Sequence, residues 1–270
     1  MSDTAAPLGS GVARIAAALA HHGRRAALMP YVMGGYPTAA ESLRIAQACV
    51  HSGADLLEVG MPYSDPLADG PVIHEAGAAA LAAGATVGSV LELVRALSPS
   101  IPVVLMCYSN MVIAPGATAF VERLAQTGAC GLIVPDLPLE ESSEVLAACD
   151  TAGIALVGLV APTTPAERFA RIGAQARGFL YAVSVVGTTG ERVSMSQDFA
   201  AVVSRAKANT TVPVALGFGI STAEHARQAA DAGADGVIVG TRLVRAARDA
   251  NDPAAAVGAT LAEIGMGLAP

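Results

Sequence analysis

Short apolar segments recur along the whole chain, and this repetition is the feature that most restricts its possible folds. Each segment has the length of a β-strand and is apolar throughout, without the polar alternation of a strand that has one face in water. Eight segments fit this description: residues 27–33, 55–60, 102–108, 131–136, 154–160, 178–184, 213–219 and 235–240. Continuously apolar strands of this kind are typical of a parallel sheet covered on both faces.

Alanine-rich segments with helical periodicity separate the apolar runs. Residues 38–53, 140–153 and 221–234 are examples; they begin near Ser, Thr, Asp or Glu, and several end at Gly, as capped helices do. Eight strand–helix units in a chain of 270 residues predict an α/β fold, the (β/α)8 TIM barrel. An open doubly wound sheet remains an alternative, because periodicity cannot reveal whether a sheet closes on itself.

An amphipathic segment, residues 8–22, precedes the first apolar run. It predicts one extra N-terminal helix, placed across the N-terminal end of the barrel. No linker, charge run or low-complexity block divides the chain. We therefore expect residues 1–270 to form a single (β/α)8 barrel domain.

The charge and composition exclude several classes of function. The formal net charge is −7 and basic residues are not clustered, so we expect no nucleic-acid partner. No apolar run approaches the ~18 to 20 residues of a membrane span, and the N-terminus lacks the pattern of a secretory signal, so we expect a cytoplasmic protein that binds no membrane. The four cysteines are scattered and no histidine motif accompanies them, which predicts neither a metal site nor disulfides.

Two carboxylates stand out in the segment LEVGMPYSDPLADGPVI, residues 57–73. Glu58 lies inside an apolar strand and Asp69 in the loop after it, and in a barrel the functional groups lie at the C-terminal ends of strands and in the following loops. Leu57 and Val59 point away from the face that carries Glu58. An apolar interior raises the pKa of a carboxyl group and suits it to proton exchange near neutral pH. Alternatively, Glu58 is a structural acid paired with an Arg, and Asp69 forms a turn or caps a helix.

Glycines after the last two predicted strands favour a phosphate site. GFGIST, residues 217–222, follows the seventh strand, and VGTRLV, residues 239–244, brings Gly240 and Thr241 to the start of the last helix of the barrel. Backbone N–H groups at a helix N-terminus attract anions, and barrels often bind phosphate after their last two strands. Alternatively, both segments are plain turns. The segment SVVGTTGERVS, residues 184–194, predicts either a mobile lid over a ligand or a surface loop.

With these segments assembled, the chain resembles the tryptophan synthase α subunit family from about Arg14 to at least Val244. The stretch LEVGMPYSDPLADGP matches the family's signature almost position for position. The resemblance implies a barrel lyase that cleaves indole-3-glycerol phosphate to indole and glyceraldehyde 3-phosphate, with no cofactor in this chain. It also implies an α2β2 heterotetramer, in which indole passes through a tunnel to a β subunit that carries pyridoxal phosphate.

The resemblance also assigns residues to the site by their match to family motifs. Glu58 would be the general acid/base and Asp69 the second catalytic carboxylate, with Tyr181 beside them. The remaining assignments are Gly190, Gly219, Gly240 and Thr241 at the phosphate; Gly187, Thr188 and Thr189 in the lid; Tyr31, Met106, Tyr108, Ile133, Leu159 and Phe218 around indole; and Pro62 and Asp65 facing the β subunit. Departures from the family are Val185 in place of a frequent Arg, Thr241 in place of Ser and Pro135 in place of Ala. We expect the changes at Val185 and Pro135 to affect the dynamics of the lid and the shape of the pocket, rather than the reaction itself.

Three other functions share parts of this pattern. A flavin mononucleotide oxidoreductase would bind phosphate through a similar glycine-rich segment, but this function would not explain the presence of both Glu58 and Asp69. A subunit that only activates a β partner would not need a proton carrier in its core. A sister barrel that isomerises or cyclises phosphoribosyl-indole precursors usually needs a different acid/base set, often with Lys, and the only lysine here is Lys207.

Overall fold

Short strands alternate with helices throughout the computed structural model, which describes residues 10–20, 23–183, 195–217 and 219–270. The strand segments in these ranges are Ala27–Met33 (β1), Leu57–Gly60 (β2), Val103–Met106 (β3), Gly131–Ile133 (β4), Ala155–Leu156 (β5), Gly158–Val160 (β6), Leu180–Val183 (β7), Val214–Gly217 (β8) and Gly236–Val239 (β9). The helices are Gly11–Ala20 (α1), Ala39–His51 (α2), Pro71–Ala82 (α3), Val87–Leu97 (α4), Ser109–Ile113 (α5), Ala117–Ala125 (α6), Ser143–Ala152 (α7), Ala166–Gln175 (α8), Met195–Lys207 (α9), Ala223–Asp231 (α10), Thr241–Asp249 (α11) and Pro253–Gly265 (α12).

The strands form one parallel sheet that closes into a barrel. Their order is β5-β4-β3-β2-β1-β9-β8-β7-β6, so the two ends of the sheet are β5 and β6. Only Val157 separates these two segments, and its N–H donates to Leu132 O at 3.0 Å. β5 and β6 are therefore two halves of the fifth predicted strand. The prediction of an eight-stranded (β/α)8 barrel is confirmed, and the open-sheet alternative is wrong.

Side chains alternate between the barrel interior and the surrounding helices. One apolar cluster fills the interior, with Met29, Leu56, Val104, Phe179 and Ile238 among its members. A second and larger cluster lies between the outer faces of the strands and the helices, and it includes Leu57 and Val59 of β2. Because Leu57 and Val59 face outward, the residue between them, Glu58, faces inward.

Helix α1 covers the N-terminal end of the barrel. Ile15 and Leu19 are buried members of the interior cluster. The N–H of Gly11 donates to Gly153 O at 2.8 Å, and the Arg14 guanidinium donates to the carbonyls of Ser98 and Gly128 at 2.5 and 2.8 Å. These carbonyls precede β3, β4 and β5, so α1 is held against the starts of the strands, as predicted. The helix spans ten of the predicted residues 8–22.

Local sequence signals explain several of the helix boundaries. The Thr38 hydroxyl accepts from the N–H of Glu41 at 3.2 Å and caps α2, and Thr222 caps α10 in the same way through His225. Gly153 ends α7 with a φ of +72°, a conformation that glycine adopts without steric cost. The three helices predicted over 38–53, 140–153 and 221–234 are thus present but shorter, because their first and last residues are caps and turns.

No single helix in the described part of the chain is long and apolar enough to cross a membrane. Helices α3 and α4 reach that length only together, across a bend of 106°.

Candidate active site

Glu58 lies in the middle of β2 with its side chain in the barrel interior. Its register partners are Tyr31 on β1 and Val104 on β3, which face the same way. The residue is 2% exposed, and its Oε2 atom has no hydrogen-bond partner among the described residues. Burial raises the pKa of Glu58 to about 8. A neutral carboxyl with a free oxygen is therefore held inside an otherwise apolar barrel, where such an atom calls for a functional explanation.

Two buried tyrosines, Tyr31 and Tyr181, flank Glu58. Burial raises the pKa of both phenols well above the usual value, with the nearby carboxylates adding to the effect. A Cβ atom at Gly60 would lie 2.0 Å from the Tyr31 hydroxyl, and one at Gly217 would lie 2.3 Å from that of Tyr181. Glycines at the ends of β2 and β8 thus make room for the two rings over the strands. Both tyrosines are neutral hydrogen-bonding groups at physiological pH.

Asp69 lies in the loop between β2 and α3, residues 61–70, which we call the Asp69 loop. The carboxyl is half-buried; burial raises its pKa, while a hydrogen bond from Tyr108 and the charge of His74 oppose this effect. The charges of Asp69 and then Glu58 both raise the pKa of Tyr31. Both carboxylates therefore lie near enough to Tyr31 for their charges to act on its hydroxyl.

The predicted indole-pocket residues that can be located lie in the barrel interior or at its C-terminal end. Tyr31, Met106, Ile133 and Leu159 lie on β1, β3, β4 and β6, and Tyr108 lies two residues beyond the end of β3. Ile133 and Leu159 belong to the interior cluster that contains Tyr181, and Met106 packs against both this cluster and that of Tyr31. A separate cavity of about 340 Å³, with Pro135 at its edge, includes neither Glu58 nor Asp69 in its lining.

The predicted phosphate residues within the described ranges, Gly219, Gly240 and Thr241, lie at the same end of the barrel. Gly240 precedes the first residue of α11, Thr241, and no side chain caps the start of this helix. A Cβ atom at Gly240 would lie 3.5 Å from Cβ of Tyr31, so the helix N-terminus adjoins the pocket. Gly219 has a φ of +83°, which only glycine adopts readily, and its carbonyl lies 3.0 Å from Nδ1 of His225. An uncapped helix N-terminus presents N–H groups to an anion.

Several predicted residues lie outside the described ranges. They are Val185, Gly187, Thr188, Thr189, Gly190 and Phe218. Of the two residues predicted to face a β subunit, Pro62 is buried and Asp65 is exposed, and both belong to the Asp69 loop. Leu67 in the same loop is 87% exposed, and Ile113 at the end of α5 is 55% exposed. Two apolar side chains are therefore exposed at the C-terminal end of the barrel.

Sequence reasoning missed the groups that hold Tyr108 in place. The Tyr63 ring stacks on the Tyr108 ring with the centroids 5.1 Å apart. The carboxyl oxygens of Asp136 accept from both the N–H and the hydroxyl of Ser109, each at 2.8 Å. The position of Asp136 at the end of the fourth apolar run was the available signal, because functional loops of a barrel begin there.

Sequence comparisons place these observations among known proteins. Residues 17–267 match the family model described as "Tryptophan synthase alpha chain". The tryptophan synthase alpha chain of Gloeobacter violaceus is 46% identical over 91% of this chain and 88% of the relative. That of a Synechococcus species is 48% identical over 90% of this chain and 89% of the relative.

Structural comparisons agree with the sequence matches. A structure of Mycobacterium tuberculosis tryptophan synthase superposes with a TM-score of 0.87 at 38% identity, over 97% of this chain and 100% of the other. The tryptophan synthase α2β2 complex of the hyperthermophile Pyrococcus furiosus contains a chain that superposes with a TM-score of 0.83 at 33% identity, over 88% of this chain and 97% of the other. The family model spans most of the chain, and relatives above 30% identity cover nearly all of it, so the chain belongs to the tryptophan synthase alpha chain family.

Proposed function

We propose that the barrel cleaves indole-3-glycerol phosphate to indole and glyceraldehyde 3-phosphate, with Glu58 carrying the protons of a retro-aldol reaction. The observation that carries this proposal is the buried, unpaired Oε2 of Glu58. With a pKa of about 8, Glu58 enters the reaction as a neutral acid near pH 7.

In the first step, Glu58 gives its proton to C3 of the indole ring. The ring becomes an indolenine whose positive charge is centred on the nitrogen. Asp69 accepts a hydrogen bond from the ring N–H and stabilises this charge as it builds. Its half-buried position favours this role, since a carboxylate at the edge of the pocket is less costly to ionise than one at the centre.

In the second step, the Glu58 carboxylate removes the proton of the glycerol C3′ hydroxyl. The C3–C3′ bond breaks, its electron pair returns to the indole ring, and the hydroxyl carbon leaves as an aldehyde. Glu58 is protonated again, so the cycle neither consumes nor releases a proton. No Schiff-base lysine is required, and Lys207 is instead paired with Asp235 at 2.6 Å.

The phosphate group orients the substrate between the carboxylates. Gly240 and Thr241 at the start of α11, together with Gly219, would hold it through backbone N–H groups and the threonine hydroxyl. We assign Gly190 to the same site, and Gly187, Thr188 and Thr189 to a lid. Tyr31, Met106, Tyr108, Ile133, Leu159 and Phe218 would surround the indole ring.

The partner would be a β subunit, in an α2β2 assembly that passes indole from one active site to the next. The P. furiosus relative is a mutually activating α2β2 complex, and this precedent supports the assignment. We assign Pro62 and Asp65 to the face toward the β subunit, where Leu67 is exposed. Pyridoxal phosphate would belong to the β subunit, with no cofactor in this chain. A cytoplasmic location and a single domain over residues 1–270 stay predictions.

The test is to measure both products from indole-3-glycerol phosphate for the wild type, Asp69→Asn and the matched control Asp150→Asn, with saturating β subunit. Asp150 is exposed and pairs with Arg177 on the outer surface. Wild type and Asp150→Asn should release indole and glyceraldehyde 3-phosphate in equal amounts. Asp69→Asn should be slower by a factor of ~100 or more. Equal rates for Asp69→Asn and wild type would contradict the role of Asp69.

A further inference from the structure

The Tyr108 hydroxyl fixes the end of the Asp69 loop. It accepts a hydrogen bond at 3.0 Å from the N–H of Ala68, the residue that precedes Asp69. Tyr63, nearer the start of the loop, stacks on the Tyr108 ring with an interplanar angle of 25°. Tyr108 therefore contacts the loop at both ends and sets where Asp69 lies.

Tyr108 itself needs support from outside its own segment. It immediately precedes α5, which has five residues and is too short to be stable alone. The Tyr108 side chain forms no capping bond at the start of this helix. Asp136, from the loop after β4, caps the helix instead through the N–H and hydroxyl of Ser109, each at 2.8 Å.

We infer that Asp136 is a positioning residue for Asp69, which it orients through Ser109 and Tyr108. The contacts join three consecutive loops at the C-terminal end of the barrel, those after β2, β3 and β4. This inference rests on the proposed role of Asp69 in the reaction. Misplacing a catalytic group by about 1 Å can cost ~100-fold in rate, so a residue that never touches substrate can still govern turnover.

The same contacts contribute little to holding the barrel together. Asp136 and Ser109 are only partly buried, and they lie outside the sheet. Loss of the Asp136 cap should therefore displace Tyr108 and the Asp69 loop while leaving the strands and the start of α11 in place.

The test compares kcat and KM for indole-3-glycerol phosphate cleavage by the full chain, alone and with saturating β subunit. The variants are Asp136→Ala, Tyr108→Phe, the two combined, and the control Asp150→Ala. Asp136→Ala removes both acceptor oxygens of the cap, and it should lower kcat about 10-fold and change KM less than about 2-fold, because the phosphate end of the site is unchanged. The double variant should be no slower than Tyr108→Phe alone, because both changes interrupt the same chain of contacts. Asp150→Ala should match the wild type.

An unchanged kcat in Asp136→Ala, or effects of the two substitutions that simply add, would overturn the inference. Should Asp136→Ala fail to fold, Ser109→Ala removes only the hydroxyl contact and should still lower kcat without changing KM. Failure of the proposed function gives a different pattern, in which the wild type itself releases no indole. An inactive Asp69→Asn beside a fully active Asp136→Ala would refute the positioning role alone.

Discussion

Replacing Glu58 by Gln should stabilise the protein increasingly as the pH rises, although it removes the proton carrier. In the unfolded chain Glu58 ionises near its usual pKa of 4.5, whereas in the folded barrel burial delays ionisation to about pH 8. Between these values the unfolded state has released the proton and the folded state has kept it. The free energy of unfolding of the wild type therefore falls as the pH rises through this window.

The size of the effect follows from the difference between the two pKa values. Each pKa unit corresponds to about 1.4 kcal/mol, so the loss reaches roughly 5 kcal/mol across the window from 4.5 to about 8 and is constant above it. The amide introduced by Glu58→Gln does not titrate, so the variant shows no such loss. Any fixed cost of fitting an amide into the interior is the same at every pH, and it cancels when the two proteins are compared across pH values.

The assay is urea unfolding of wild type and Glu58→Gln at pH 5, 6.5 and 8, followed by circular dichroism. The stability of Glu58→Gln relative to wild type should grow by about 1.4 kcal/mol for each pH unit. Glu92→Gln is the matched control, since Glu92 is exposed on α4 and should give a small and constant difference. If the difference for Glu58→Gln stays constant from pH 5 to 8, Glu58 ionises normally and the argument for a neutral acid at pH 7 is wrong.

Three further substitutions test other parts of the site. Gly217→Ala should lower kcat at least ~10-fold with the fold retained by circular dichroism, because the added Cβ lies 2.3 Å from the Tyr181 hydroxyl and displaces the ring. Gly240→Asp should raise KM at least ~10-fold, because it places a negative charge at the start of α11. In the control Gly240→Ala the added Cβ makes only an ordinary contact at 3.5 Å, so KM should change much less. Equal KM values for Gly240→Asp and Gly240→Ala would argue against phosphate binding there. Leu67→Asp should weaken β-subunit binding in a titration while the isolated chain keeps its activity, and unchanged binding would place the interface elsewhere.

The barrel was predictable from the sequence because its main signal is local. Each strand lies in an apolar run, and several helices have a cap such as Thr38 or Thr222 directly before their first residue. Closure was not predictable from periodicity, since it depends on pairing between β5, β6 and their neighbours. The break at Val157 was missed for the same reason, because the residues before it pair with β4 and those after it pair with β7.

The site was predictable where a residue conflicts with its surroundings. Glu58 stood out as a charge within an apolar strand, and the structure leaves its Oε2 atom unpaired among the described residues. Tyr63, Ser109 and Asp136 carry no such conflict, because polar and aromatic residues are ordinary in loops. Their importance arises from contacts between loops that are far apart in sequence, and these become visible only in the fold.

The role of Glu58 is tested most directly by indole release from indole-3-glycerol phosphate, measured for wild type and Glu58→Gln, each with and without the β subunit. We expect the wild type to release indole at a rate that increases with the β subunit. In Glu58→Gln the rate should fall ~100-fold or more under both conditions. Near-full turnover by Glu58→Gln would contradict the central claim that this buried carboxyl carries the protons of the reaction.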